Sequence, residues 1–231
     1  MQILTSPFII FLRNIGRKLG LNNLIARLFF PKGYETKYED KFLNGILPGD
    51  CVWDIGANLG QYTKKFSNKV GDLGFVCAFE PSLINFEHLK ENCRLLKNTD
   101  LFSFGLSDAN KKLGFLQGED SWGSNSQIVE SKNGRDEIEV RKGSDLIENN
   151  IVKSPNVLKI DVEGHELEVI NGLNNYLSEP SLRLIGIEVH FEILKEKGMV
   201  SAPAMIQKIL EEKGLYVEWS DPSHIVAFRN T

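Results

Sequence analysis

The chain has 231 residues, 42% of them hydrophobic and 25% charged, which is ordinary globular composition and enough for one large domain with a sizeable core. A formal charge of −4 argues against general affinity for nucleic acid. Three cysteines, Cys51, Cys77 and Cys93, without a C-x-x-C pair, argue against a disulfide framework and a thiolate metal site, so a reducing, cytoplasmic setting is the default expectation.

The first 47 residues are expected to form an N-terminal helical segment, followed by a domain over 48–231. Phe8, Leu12, Ile15 and Leu19 repeat at helical spacing, and Leu21, Leu24, Ile25 and Leu28 make a second short stripe. Residues 1–32 hold Arg13, Arg17, Lys18, Arg27 and Lys32 and no acid. These charges follow the apolar run rather than precede it, unlike a secretory signal, and the run is too short to span a bilayer. A weak peripheral contact with an anionic membrane or packing onto the domain are the two readings of this stretch, with packing preferred. A third helix is predicted from about Glu35 to Leu47, ending at Pro48-Gly49.

From there apolar strands alternate with helices. Strands are predicted at Val52–Ile55, Phe75–Phe79 and Leu101–Leu106, with helices through Tyr62 and Phe66 and through Ile84, Leu89, Cys93 and Leu96. The stretch Ser107–Arg141 breaks the rhythm and reads as an insertion or a pair of hairpins, with short strands near Leu113–Leu116 and Ile138–Val140. Trp122 inside it could stack on an acceptor ring or anchor the insertion. The alternation resumes with Val157–Ile160, a helix around Leu167–Leu177, Leu184–Val189 and a helix at Ala204–Leu210. Tyr216–Trp219 and Ile225–Phe228 are close enough for a hairpin, so the sheet is expected to end in an antiparallel strand. The pattern predicts a doubly wound, mostly parallel α/β sheet.

The most informative stretch is Val52-Trp53-Asp54-Ile55-Gly56-Ala57-Asn58-Leu59-Gly60. A buried strand runs into a glycine-containing turn and then a helix, at the sheet edge where ligands bind. Glu80 closes the next strand, where an acid can accept both ribose hydroxyls of an adenosine-containing cofactor. A dinucleotide fingerprint would have glycine at Asn58. Asp54 would repel a pyrophosphate but suits the ammonium of a methionine moiety, so S-adenosylmethionine is favoured over a nicotinamide cofactor.

Residues 52–63 resemble the cofactor loop of FkbM-type methyltransferases, and Leu158-Lys159-Ile160-Asp161-Val162-Glu163-Gly164-His165-Glu166 resembles a second, more distinctive signature of that family. Phe79-Glu80-Pro81 and Leu106-Ser107-Asp108 stand between them at the expected places. The resemblance runs from about Pro48 to His190. It implies a class I methyltransferase (Rossmann-like) fold, with a seven-stranded sheet whose last-entering strand is antiparallel. It also implies O-methylation of a saccharide, glycolipid or natural-product hydroxyl. By position it implies Asp54, Gly56, Asn58 and Gly60 at the methionine portion, Glu80 at the ribose, and Ser107 with Asp108 beside the adenine.

Methyl transfer to a hydroxyl needs an aligned acceptor oxygen and a group to take its proton. Asp161 and Glu163 follow one strand, and Glu188 and His190 close the next. Asp161 or His190 is the expected base, with Glu188 orienting the imidazole and Glu163 positioning the acceptor. Asp161, Glu188 and His190 form an alternative set of divalent-metal ligands. A catalytically silent cofactor-binding partner is the reading from outside enzymes. Glu166 is expected to charge the start of the following helix. His88 and His224 are expected at the surface or in the hairpin.

Overall fold

The computed structural model describes residues 34–116, 127–129 and 136–229. The two stripes within residues 1–32, with their membrane reading, and Trp122 lie outside these residues.

The seven-stranded sheet has β1 (Cys51–Ile55) at its centre, flanked by β2 (Phe75–Phe79) and β3 (Thr99–Phe102) on one side. On the other side lie β8 (Val157–Ile160), β9 (Leu184–Glu188), β11 (His224–Phe228) and β10 (Tyr216–Trp219), with β10 at the edge. Every pairing is parallel except the two made by β11. The antiparallel strand is therefore the last in the chain, as expected. It does not end the sheet, because its hairpin partner β10 lies outside it.

Apart from Asp54, Lys159 and Glu188 near their carboxyl ends, strands β1, β8 and β9 carry no charged residue, because both faces are covered. Trp53, Ile55, Leu158, Ile160, Ile185 and Ile187 point into one core together with Leu167, Ile170 and Leu173 of α5 (Glu166–Leu173). Val52, Val76, Val157 and Leu184 point into the other, with Phe66 and Val70 of α2 (Gln61–Val70). That second core also takes Tyr38 and Phe42 of α1 (Tyr34–Asn44), so α1 shares its apolar face with the sheet. Helix α3 (Leu83–Cys93) starts at Ser82, whose side chain accepts the Asn85 N–H.

The predicted strand Leu101–Leu106 proves to be two strands. Its first half is β3, and β4 (Gly105–Ser107) turns into a second, four-stranded sheet ordered β4-β7-β5-β6. There β5 (Lys111–Leu116), β6 (Gln127–Val129) and β7 (Asp136–Lys142) are joined by antiparallel pairs, while β4 pairs parallel to β7. The apparent insertion is thus a small sheet with its own core of Phe115, Ile138 and Val140. Phe79, Phe102 and Phe104 stack in the core behind the break, and the Arg141 guanidinium lies 4.3 Å from the centre of the Phe104 ring. Helices α4 (Gly143–Glu148), α6 (Phe191–Glu196) and α7 (Ala202–Glu212) complete the layers.

Strand order reverses between β1 and β8, and this switch point brings the loop after β1 and the loop after β8 side by side at the carboxyl edge.

Candidate functional site

Near the end of β1, Asp54 is fully buried and its Oδ2 accepts a 2.6 Å hydrogen bond from Thr63. Asn58 Oδ1 is buried without a hydrogen-bond partner among the described residues, which leaves one acceptor for a bound donor, whereas Asp54 Oδ1 makes no hydrogen bond but pairs with the Lys159 ammonium. Gly56 sits at φ 79°, and a Cβ there would come within 1.8 Å of the Asp161 carbonyl oxygen. Its first task is therefore to let the two loops touch. Gly60, also left-handed, starts α2, and a Cβ there would press on Leu89 and Cys93. Glu80 is 5% exposed and accepts the N–H groups of Asn58 and Ser82, each at 2.9 Å. Burial raises its pKa to about 7, against the pull of those two amides.

Lys159 is the residue that sequence reasoning passed over. It is buried in β8, with Nζ 3.4 Å from Asp54, 3.2 Å from Asp161 and 3.2 Å from the Gly56 carbonyl. Burial alone would lower its pKa, but Asp161 and Asp54 hold it above the ordinary value, so it stays a cation. One lysine in an otherwise apolar strand was the available signal.

Ser107 is fully buried, and its Oγ lies 2.9 Å from His165 Nε2 and 3.1 Å from Asp108. Burial lowers the His165 pKa to about 4, so this imidazole is neutral. Asp108 is half exposed and pairs with Lys111 at 3.1 Å.

The loop after β8 carries the acids. Glu163 holds a left-handed backbone at φ 49°, an uncommon state for a non-glycine residue at a functional position. Its Oε2 lies 3.3 Å from His190 Nε2, and Asp161 lies 3.7 Å from the same atom. The opposite nitrogen, His190 Nδ1, bonds to Glu166 at 2.7 Å, and Glu166 is fully buried. Glu166 thus does more than charge a helix start, although it does accept the Gly164 N–H at 2.9 Å. It also takes the orienting place expected of Glu188, which stands 4.0 Å from His190. Burial opposes the charge on His190, yet Glu166, Glu163 and Asp161 raise its pKa to about 10. Burial also raises Glu163, to about 7, against the attraction of His190.

Glu188 is drawn to a second histidine instead. His224 Nε2 lies 3.5 Å from Glu188, and His224 Nδ1 bonds to buried Asp221 at 2.9 Å. His224 begins β11 of the expected hairpin, but it is buried rather than at the surface, under the Tyr38 ring at 4.2 Å. Burial would raise the Glu188 pKa, but His224 and His190 bring it down to about 2. His88 is exposed, as expected.

The compact donor set for a divalent cation is Asp161, Glu163 and His190, whose ligand atoms lie within 4.8 Å of one another, and Glu188 is not part of it. A cation there would have to displace the firmly held proton of His190, which weighs against metal. No helix among the described residues is long and apolar enough to cross a membrane.

Comparison with known proteins bears on the family and the fold. Residues 54–216 match the family model described as the methyltransferase FkbM domain. Hexuronic acid methyltransferase AglP of Haloferax volcanii is 32% identical over 170 residues, covering 73% of this chain and 64% of that protein. The crystal structure of methyltransferase FkbM from Methylobacillus flagellatus superposes with a TM-score of 0.57 at 17% identity, covering 95% of this chain and 58% of that one. A candidate methyltransferase of Streptococcus mutans in complex with SAH superposes at 0.52 with 12% identity, over 87% of this chain and 100% of that one. The chain thus spans under two thirds of the first two proteins.

Proposed function

Because the chain belongs to the FkbM methyltransferase domain family, we propose that it transfers a methyl group from S-adenosylmethionine to a saccharide hydroxyl. The observation that carries this reading is the meeting, at one switch point, of an anionic pocket and a buried-acid–imidazole–acid relay. S-adenosylmethionine supplies a methyl group on a cationic sulfur. Asn58 offers a free acceptor to the methionine ammonium, Asp54 offers a carboxylate that it shares with Lys159, and Glu80 has lone pairs left for the ribose. Ser107 and Asp108 would line the adenine, with His165 behind Ser107. Gly56 and Gly60 shape the turn that holds these groups together.

In the relay, Glu166 fixes the His190 ring and Glu163 takes the acceptor proton. Two environments point to Glu163 rather than His190 as the base. His190 is already an imidazolium at neutral pH, whereas Glu163 ionises near pH 7, where a general base works best. With the cofactor bound, Glu163 would take the proton of the acceptor hydroxyl while that oxygen displaces sulfur from the methyl carbon, the carbon–sulfur bond breaking to leave S-adenosylhomocysteine. Asp161, tied to Lys159 and facing His190, steadies the imidazolium.

A sugar acceptor follows the Haloferax relative, which methylates a hexuronic acid and is 32% identical. The test has two parts. Calorimetry should show binding of S-adenosylhomocysteine to the full chain. Cell extracts incubated with the chain and isotopically labelled S-adenosylmethionine should yield a labelled O-methyl sugar by mass spectrometry. Binding without any labelled product would favour a silent cofactor-binding partner. No binding would end the proposal.

A further inference from the structure

The site contains a second relay built from the same parts as the first. Asp221 is buried and bonds to His224 Nδ1 at 2.9 Å, and His224 Nε2 faces Glu188 at 3.5 Å. Asp221 also accepts the backbone N–H groups of Ser223 and His224, at 2.8 and 2.9 Å, so the ring is fixed from behind. Tyr38 stacks on its face. A residue serving only to join β9 and β11 would not need an imidazole anchored at both nitrogens. Glu188 stays one third exposed at the end of this relay, at the carboxyl edge. Its two oxygens face His190 at 4.0 Å and His224 at 3.5 Å, distances of charge pairing that leave lone pairs free for a donor.

Building on the methyl-transfer reading, we propose that Glu188 binds the hydroxyl next to the one that is methylated, so that the acceptor is a vicinal diol of a sugar ring. Glu163 and Glu188 both lie within 4.0 Å of His190 Nε2, which places two carboxylates where adjacent hydroxyls of one ring can reach them. Their environments divide the work. Glu188 faces two imidazoles where Glu163 faces one, which suits Glu188 to the part of a fixed hydrogen-bond acceptor. His224 and Asp221 are positioning residues that hold it there.

The experiment uses the full chain and methyl glycosides of glucuronic acid, glucose, galactose and mannose as acceptors, with products located by mass spectrometry and NMR. On the glycoside that wild type methylates, Glu188→Gln should raise acceptor KM about 10- to 100-fold, the range for a hydrogen bond to a charged group. The kcat value should fall much less, and S-adenosylhomocysteine affinity should not change. Asp221→Asn should give a weaker KM effect in the same direction. Wild type should lose the same factor when the neighbouring hydroxyl is replaced by hydrogen, and Glu188→Gln should be indifferent to that loss. Unchanged KM in Glu188→Gln, equal use of the deoxy glycoside by wild type, or loss of S-adenosylhomocysteine affinity would each overturn the assignment while leaving methyl transfer intact. If wild type methylates none of the four glycosides but binds S-adenosylhomocysteine, the sugar-diol assignment fails and cofactor binding stands.

Discussion

The relays Glu166–His190–Glu163 and Asp221–His224–Glu188 use the same three groups in the same order. Each has a buried carboxylate on Nδ1 and a partly exposed carboxylate facing Nε2. They nevertheless drive their outer acids apart, Glu163 up to about 7 and Glu188 down to about 2. The difference lies in the neighbours. Glu163 is desolvated in a strained loop with Asp161, Glu188 and Glu166 nearby, and one imidazole has to offset all three. Glu188 lies between two imidazoles. A carboxylate's chemistry is set by how many cations face it, and here that count separates a proton acceptor from a fixed anion.

Substitutions should widen or erase that contrast. The largest effect is expected for Glu163→Gln, which should lower kcat by about 10²–10⁴-fold, the contribution of a placed general base. S-adenosylhomocysteine affinity should survive, as calorimetry can check. If turnover instead falls only in Glu188→Gln, the two arms have been assigned the wrong way round.

Next in size is Lys159→Met, which leaves Asp54 buried without its cation. Breaking such a pair costs about 3–5 kcal/mol, so urea unfolding should show a loss on that scale. A loss below about 1 kcal/mol would mean that Asp54 does not depend on Lys159.

Glu80→Ala lies outside both relays and tests whether cofactor and acceptor halves are separable. It should weaken S-adenosylhomocysteine about 10- to 100-fold through lost charge-assisted hydrogen bonds. Acceptor KM measured at saturating cofactor should not move.

The last contrast is in stability against pH. His190 and His224 titrate at about 10 and about 9 in the folded chain, above the ordinary 6.5 of histidine. Their stabilisation is therefore complete below pH 6.5 and is lost as pH rises through 9 to 10. Thermal melts from pH 6.5 to 10 should show a falling Tm, with a shallower fall in Glu166→Gln, which loosens the His190 proton.

The cofactor half was the more legible in sequence. Asp54, Gly56, Gly60 and Glu80 lie within one β-α-β stretch, where local spacing determines spatial neighbours. The acceptor half joins residues from the ends of β8, β9 and β11 and from α1, and nothing in local spacing reports such contacts. His190 and Glu163 were found because strand ends at the carboxyl edge can be read from the alternation. Glu166 resembled an ordinary helix-start acid, and His224 an ordinary turn residue. The break between β3 and β4 was hidden because Leu101, Phe102, Phe104 and Leu106 keep the segment strongly apolar across Ser103 and Gly105, and a strand that changes sheets looks like one that does not.

The central claim, that two matching relays hold their outer acids in opposite states, can be measured without an acceptor. Carbon-13 NMR of the glutamate side-chain carboxyls, assigned with Glu163→Gln and Glu188→Gln, follows both groups through a pH titration. Glu163 should titrate at about 7 and Glu188 at about 2, a separation that no random surface pair would show. Two glutamates titrating together near the ordinary carboxylate value, or in the reverse order, would contradict the division of labour between them.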